Sequence, residues 1–235
     1  MQLKEQLADV LNLKTWCARH GVVLAKYTSG DRKTRLQEVV RLKDEGRLLQ
    51  SPAEGCQLIS ALLATKSVKG DIAEVGTAKG GSARLIAQYA ENKTLHVFDT
   101  FEGLPAPGEK DAGFVKGSYV CSLENVQNYL KDLPVEFHKG MFPHTAAGMD
   151  HHRFSFVHLD VDLYQSTLDC LEFFYPRLNP GGIIISHDYV HAEGVNLAFA
   201  EFFADKPETP IELIGYQGMV VKLAETIPLQ RAAHA

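Results

Sequence analysis

The sequence predicts an α/β fold in which a mainly parallel sheet carries helices on both faces and ends in an antiparallel hairpin. Three observations predict it. Short apolar runs alternate with helical patterns from residue 70 onward, and Gly-rich or Asn-Pro-Gly turns separate them. The last two runs flank Gly215-Tyr216-Gln217-Gly218 closely enough to pair with each other. The 235 residues, 45% hydrophobic and 23% charged, suffice for one core of this kind, and no linker or repeat interrupts them. A net charge of -5 with no long basic run argues against a nucleic-acid surface. No apolar run approaches the ~20 residues that span a bilayer. Cys17, Cys56, Cys121 and Cys170 form no Cys-x-x-Cys pair and read as reduced thiols. The expectation is a cytoplasmic protein of small-molecule chemistry that touches neither membrane nor nucleic acid.

Residues 3–20 and 34–66 read as helices, with Ser51 as an N-cap, Pro52 at the first helical position and Glu54 in the first turn. Residues 1–66 are expected to form a helical lid or interface segment ahead of a domain at 67–235, although both belong to one structural domain. Trp16 and Tyr27 in that segment suit core packing, a subunit interface or a lid, so a homodimer or higher homo-oligomer is expected. The first strand is 71–75, followed by a helix at 83–90 and a second strand at 95–98. A Gly- and Pro-rich loop, FEGLPAPGEKDAGFVKGSY, has the length of a functional or mobile segment. A helix at 122–130, strands at 135–138 and 154–159, and a helix at 167–178 come next. The fifth strand, 182–186, is entered through Asn179-Pro180-Gly181, and the hairpin strands 211–214 and 219–223 bring the total to seven.

Residues 70–104 outline a cofactor site. Gly76 and the run Gly80-Gly81-Ser82 let the backbone turn tightly beside a ligand, and Asp99 follows the second strand where such units hydrogen-bond a ribose hydroxyl. The spacing is not that of a dinucleotide fingerprint, because Thr77, Ala78 and Lys79 separate Gly76 from the next glycine. Glu74 would repel a pyrophosphate but suits the ammonium of an amino-acid-like ligand. S-adenosylmethionine has both that ammonium and a ribose. The layout of the sheet is also that of class I methyltransferases, a Rossmann-like fold.

A second group lies at the ends of strands four and five. In FVHLDVDLYQST, Asp160 and Asp162 follow the fourth strand, and in GGIIISHDYVH, Asp188 follows the fifth. Ligands in open α/β sheets bind outside the carboxyl ends of the strands, so these acids should converge beside the cofactor. A divalent cation such as magnesium would neutralise them and leave positions for a substrate hydroxyl. His187-Asp188-Tyr189-Val190-His191 mimics a zinc-protease signature, but it closes a strand instead of lying within a helix. His144, His151, His152 and His158 lack consistent ligand spacing and read as surface or turn residues.

The runs EVGTAKGGSA, FDTFEGLP, KGMFPHT, HLDVDLYQST and YPRLNPGGIIISHDY resemble the macrocin O-methyltransferase family over residues 70–190. That resemblance implies a class I S-adenosylmethionine-dependent enzyme methylating a sugar hydroxyl in antibiotic biosynthesis, with magnesium as cofactor. It implies donor binding by Glu74, Gly76, Thr77, Gly80, Gly81, Ser82, Asp99, Thr100, Phe101, Gly140, Met141 and Asp160, a metal held by Asp160 and Asp188, and Asp162 as general base. The family ends its fifth strand on paired acids, whereas this chain has His187 before Asp188. An imidazole there is a third ligand favouring a softer ion such as manganese, or a base in a metal-independent methyltransferase. A nucleotide-dependent oxidoreductase and a catalytically silent binding module are the readings from other classes.

Overall fold

Strands β1 (Asp71–Val75), β2 (Leu95–Asp99), β3 (Val135–Lys139), β4 (Phe154–Leu159), β5 (Leu178–Ser186), β6 (Ile211–Glu212) and β7 (Gly218–Val221) form one sheet in the order β3-β2-β1-β4-β5-β7-β6. All pairs are parallel except β5 with β7 and β7 with β6, which are antiparallel. This computed structural model describes residues 15–20, 22, 26–27 and 29–224. Its helices are α1 (Gly30–Asp44), α2 (Pro52–Ala64), α3 (Gly81–Tyr89), α4 (Leu123–Leu130), α5 (Tyr164–Phe174) and α6 (Glu193–Phe203). The strand order reverses between β1 and β4, which opens a crevice at their carboxyl ends.

Apolar side chains on the two faces of the sheet explain why helices cover both. Leu58 and Leu62 of α2, Ile86 of α3 and Val126 and Leu130 of α4 pack on Ile72, Leu95, Val97, Phe156 and Ile185. Cys170, Leu171 and Phe174 of α5 and Val195, Phe199 and Phe203 of α6 pack on Val75, Phe98, Phe154, Val157 and Ile184. At ~25 cal/mol per Å², these buried faces supply the main stabilisation.

The chain divides into two compact units, residues 1–35 and 36–235. In the first, residues 15–19 are helical, Trp16 stacks on His20 with ring centroids 4.2 Å apart, and Arg32 lies 4.8 Å from the centre of the Tyr27 ring. Residues 3–14 of the expected first helix lie outside the described residues. The boundary falls inside α1, so α2 belongs to the second unit.

Several elements depart from expectation, each for a physical reason. The helix expected at 34–66 is two helices, and Ser51 begins the second with a complete capping box: Glu54 N–H donates to Ser51 Oγ and Ser51 N–H to Glu54 Oε2. Helix α5 starts at Tyr164 instead of residue 167, because Asp111, far away in the Gly- and Pro-rich loop, accepts from Tyr164 N–H at 2.7 Å. It stops at Phe174, since Pro176 cannot continue it, and a 3-10 turn (Tyr175–Arg177) leads into β5. Helix α6 has no counterpart in the sequence reading.

Candidate active site

At the reversal point lies a cavity of about 330 Å³, within the range of small-molecule sites. Gly76 and Ala78 of the first glycine loop, Asp99 and Thr100 after β2, Gly140 and Met141 after β3, Asp160 and Asp162 after β4, and His187 and Asp188 after β5 all line it. The Gly- and Pro-rich loop covers one side with Leu104, Phe114 and Tyr119. Asp111 anchors that loop, since it also accepts from Gly108 N–H at 2.8 Å.

Local backbone chemistry sets the cavity wall. Gly76 has φ +80, and a Cβ there would meet the Asp160 carbonyl oxygen at 2.0 Å, so only glycine lets β1 and β4 end side by side. Asp99 holds the loop above it: Oδ2 accepts from Thr77 N–H (2.7 Å) and Ala78 N–H (3.2 Å), and Oδ1 accepts from Phe101 N–H (2.7 Å). Ala78, Tyr119 and Asp162 line the cavity with φ of 44, 63 and 60, in the left-handed region that side chains avoid. Strain of this kind collects where surrounding structure fixes a residue for function.

The acids at the ends of β4 and β5 surround His187. Its Nδ1 lies 3.2 Å from Asp160 Oδ1 and 3.1 Å from Asp188 Oδ1, and its Nε2 lies 3.7 Å from Glu54 Oε2. Burial opposes a charged imidazole, but Asp160, Asp188 and Glu54 outweigh it and hold His187 protonated far above the usual histidine range. Burial likewise raises Asp160, yet the imidazolium overrides it and brings the carboxyl to about 2. The imidazolium also favours ionised Asp162, but less than the surroundings oppose it. Burial first, then the negative charges of Asp188 and Asp160, push its pKa up to about 8.

Asp160, His187 and Asp188 each offer a ligand atom within 4.8 Å of the others. Asp188 Oδ2 and His187 Nε2 are buried without a hydrogen-bond partner. Hard oxygens with one imidazole suit a divalent cation, so the residues fit a metal.

Some expected residues lie elsewhere. Glu74 is completely buried within β1, with Oε1 2.9 Å from His158 Nδ1 on the neighbouring β4, and it does not line the cavity. Thr77, Gly80, Gly81, Ser82 and Phe101 form or brace the loop without lining it. His158, read as a surface or turn residue, is buried in β4, and its Nε2 lies 3.1 Å from Gln50 Nε2. Glu54 was legible as a helix cap but not as a partner of His187, which is 133 residues further along. Tyr119 carried only the signal of its loop.

The family model for macrocin O-methyltransferase matches residues 56–222. The chain belongs to the macrocin O-methyltransferase family. Relatives of this family member include the 8-demethyl-8-(2,3-dimethoxy-alpha-L-rhamnosyl)-tetracenomycin-C 4'-O-methyltransferase of Streptomyces olivaceus, 36% identical over 140 residues, covering 52% of this chain and 54% of the relative. The demethyldecarbamoylnovobiocin O-methyltransferase of Streptomyces niveus is 32% identical over 142 residues, covering 53% and 54%. The chain thus spans about half the length of the curated relatives it matches. Among solved structures, the O-methyltransferase NovP is similar with a TM-score of 0.61 at 25% identity, covering 72% of this chain and 78% of that one. The family's class I fold and the observed strand order agree.

Proposed function

We propose that the protein is an S-adenosylmethionine-dependent O-methyltransferase acting on a hydroxyl of a small molecule such as a natural-product sugar. The observation that carries this reading is the convergence of Asp99, Asp160, Asp162 and Asp188 on one cavity at the carboxyl ends of β2, β4 and β5. S-adenosylmethionine supplies an electrophilic methyl group on its sulfonium, and Asp99 Oδ1 has one acceptor site left for a ribose hydroxyl of the donor. Asp162 accepts the acceptor hydroxyl's proton as its oxygen is methylated, and a base with a pKa near the working pH suits that task. His187, held protonated, is a poor base and acts instead as a fixed positive charge between Asp160 and Asp188. Exposed Tyr119 and Tyr216 line the cavity, giving apolar surface for the body of an acceptor. The relative named for a rhamnosylated tetracenomycin makes a glycosylated acceptor the natural first trial.

Asp160 and Asp188 are the residues that would hold a divalent cation, with His187 joining them only after giving up its proton, and the ion would lower the pKa of the acceptor hydroxyl when bound. Chelation is expected to abolish turnover, and magnesium or manganese to restore it. Full turnover in excess chelator with no metal by elemental analysis would favour the second reading, a metal-independent enzyme. The observation behind that reading is the imidazolium of His187, which already compensates two acids.

Donor binding has its own test. Asp99→Ala should weaken S-adenosylmethionine binding by about 1–3 kcal/mol, the scale of a lost charged hydrogen bond, in isothermal titration. Unchanged affinity would refute the assignment of Asp99, and preferential binding of NAD would point to an oxidoreductase.

A further inference from the structure

A second cluster of metal-ligating side chains sits at the opposite end of the sheet. Asp71 opens β1, His96 is the second residue of β2, Glu136 and His138 lie on β3, and His152 precedes β4. Five strand residues at ~3.3 Å each put about 16 Å between Asp71 and Gly76, so this cluster is separate from the cavity.

Asp71, His96 and His152 each offer a ligand atom, all within 4.8 Å of one another, and His152 Nδ1 is within hydrogen-bonding distance of Asp71 Oδ2. Asp71 Oδ2 lies 3.5 Å from His96 Nε2 and 3.3 Å from His152 Nδ1. Bonds of about 2.0–2.1 Å to a tetrahedral zinc ion separate neighbouring ligand atoms by about 3.3–3.4 Å. His96 Nδ1 lies within hydrogen-bonding distance of His138 Nε2, at 3.2 Å, and 3.4 Å from Glu136 Oε2. His96 Nε2 faces Asp71, in a residue only 2% exposed, and that atom has no hydrogen-bond partner. A buried ring nitrogen without a hydrogen bond is costly, and a cation held between it and the carboxylate would satisfy both.

The surroundings are prepared for one. Asp71 N–H donates to Arg153 O at 2.8 Å, which fixes β1 against the segment bearing His152. A ligating histidine that hands its other N–H to a carboxylate is the usual support of a zinc site, and Glu136 fills that role for His96. Asp71 and His152 side chains are 36% and 39% exposed, leaving an entry path and room for water as a further ligand. We propose that Asp71 Oδ2, His96 Nε2 and His152 Nδ1 form a zinc-type site that clamps the starts of β1 and β2 to the loop before β4, independently of the methyl-transfer cavity.

Cobalt titration of the metal-stripped full chain in excess magnesium tests this, because magnesium competes for the carboxylates of the cavity and poorly for imidazole. One equivalent of cobalt should bind with a visible absorption band, and zinc should displace it. His152→Ala should abolish the band, and Asp71→Asn should do the same without changing shape, while both variants melt as cooperatively as the native chain in the absence of metal. Glu136→Gln should weaken binding about 10- to 100-fold. A native protein without the band, or a band that survives in His152→Ala and Asp71→Asn, would overturn the proposal.

Discussion

Asp162→Asn lowers the single-turnover methyl-transfer rate by roughly 100-fold or more at saturating donor, the scale of a lost general base, while donor affinity stays nearly unchanged. The native rate rises with pH as Asp162, held above the usual carboxylate range by burial, ionises, because only the ionised carboxyl accepts a proton. Stability moves the other way. The folded chain keeps the Asp162 proton up to about pH 8, whereas the unfolded chain releases it near pH ~3.9, so folding weakens as pH rises across that window. In metal-free protein at pH 8, Asp162→Asn should therefore be more stable than native by on the order of 1–3 kcal/mol in urea unfolding. A variant with full rate, or one with neither a rate loss nor a stability gain, excludes Asp162 as a buried base. Loss of rate without the stability gain would locate the raised proton affinity on another group.

His187→Asp loses about 3–5 kcal/mol of stability in chelator, the cost of removing one partner from a buried ion pair. The substitution replaces the cation that Asp160, Asp188 and Glu54 share with a fourth carboxylate. Excess magnesium or manganese should recover most of that loss and support turnover, since the variant then carries the paired acids typical of the family. Denaturation midpoints with and without divalent ions measure the difference. Equal stability in chelator would mean that His187 is not the charge holding these acids together.

What the sequence made legible followed from the range of the interactions. The cap at Ser51 and Glu54 needs only four residues, and four of the six residues of β4 are apolar, so both are readable locally. The start of α5 depends on Asp111, 53 residues earlier, and no local pattern contains it. Helix α6 lacks a side-chain cap at Ala192 and is rich in buried apolar residues, which removes both the start signal and the two-sided pattern. For the site, Asp99, Asp160, Asp162, His187 and Asp188 were found because strand ends in such sheets converge. Glu74 was assigned to the ligand by proximity to the loop, but strand residues alternate faces, and its side chain turns to His158 inside the sheet's other layer. Charge compensation by His187 required knowing that Glu54 lies beside it.

Glu54 carries a further consequence. One carboxylate closes the capping box of α2, accepts from Tyr216 N–H at 2.8 Å in the turn before β7, and faces His187. Gly215 exists beside it because a Cβ there would come within 2.4 Å of Glu54 Oε1. Opening of the hairpin tip therefore cannot be a private event of the C-terminal edge: it frays the first turn of α2 and unbalances the imidazolium at the same moment. Amide exchange at Ser51 and Tyr216 should accordingly share one protection factor, and an acceptor that presses on Tyr216 would slow both.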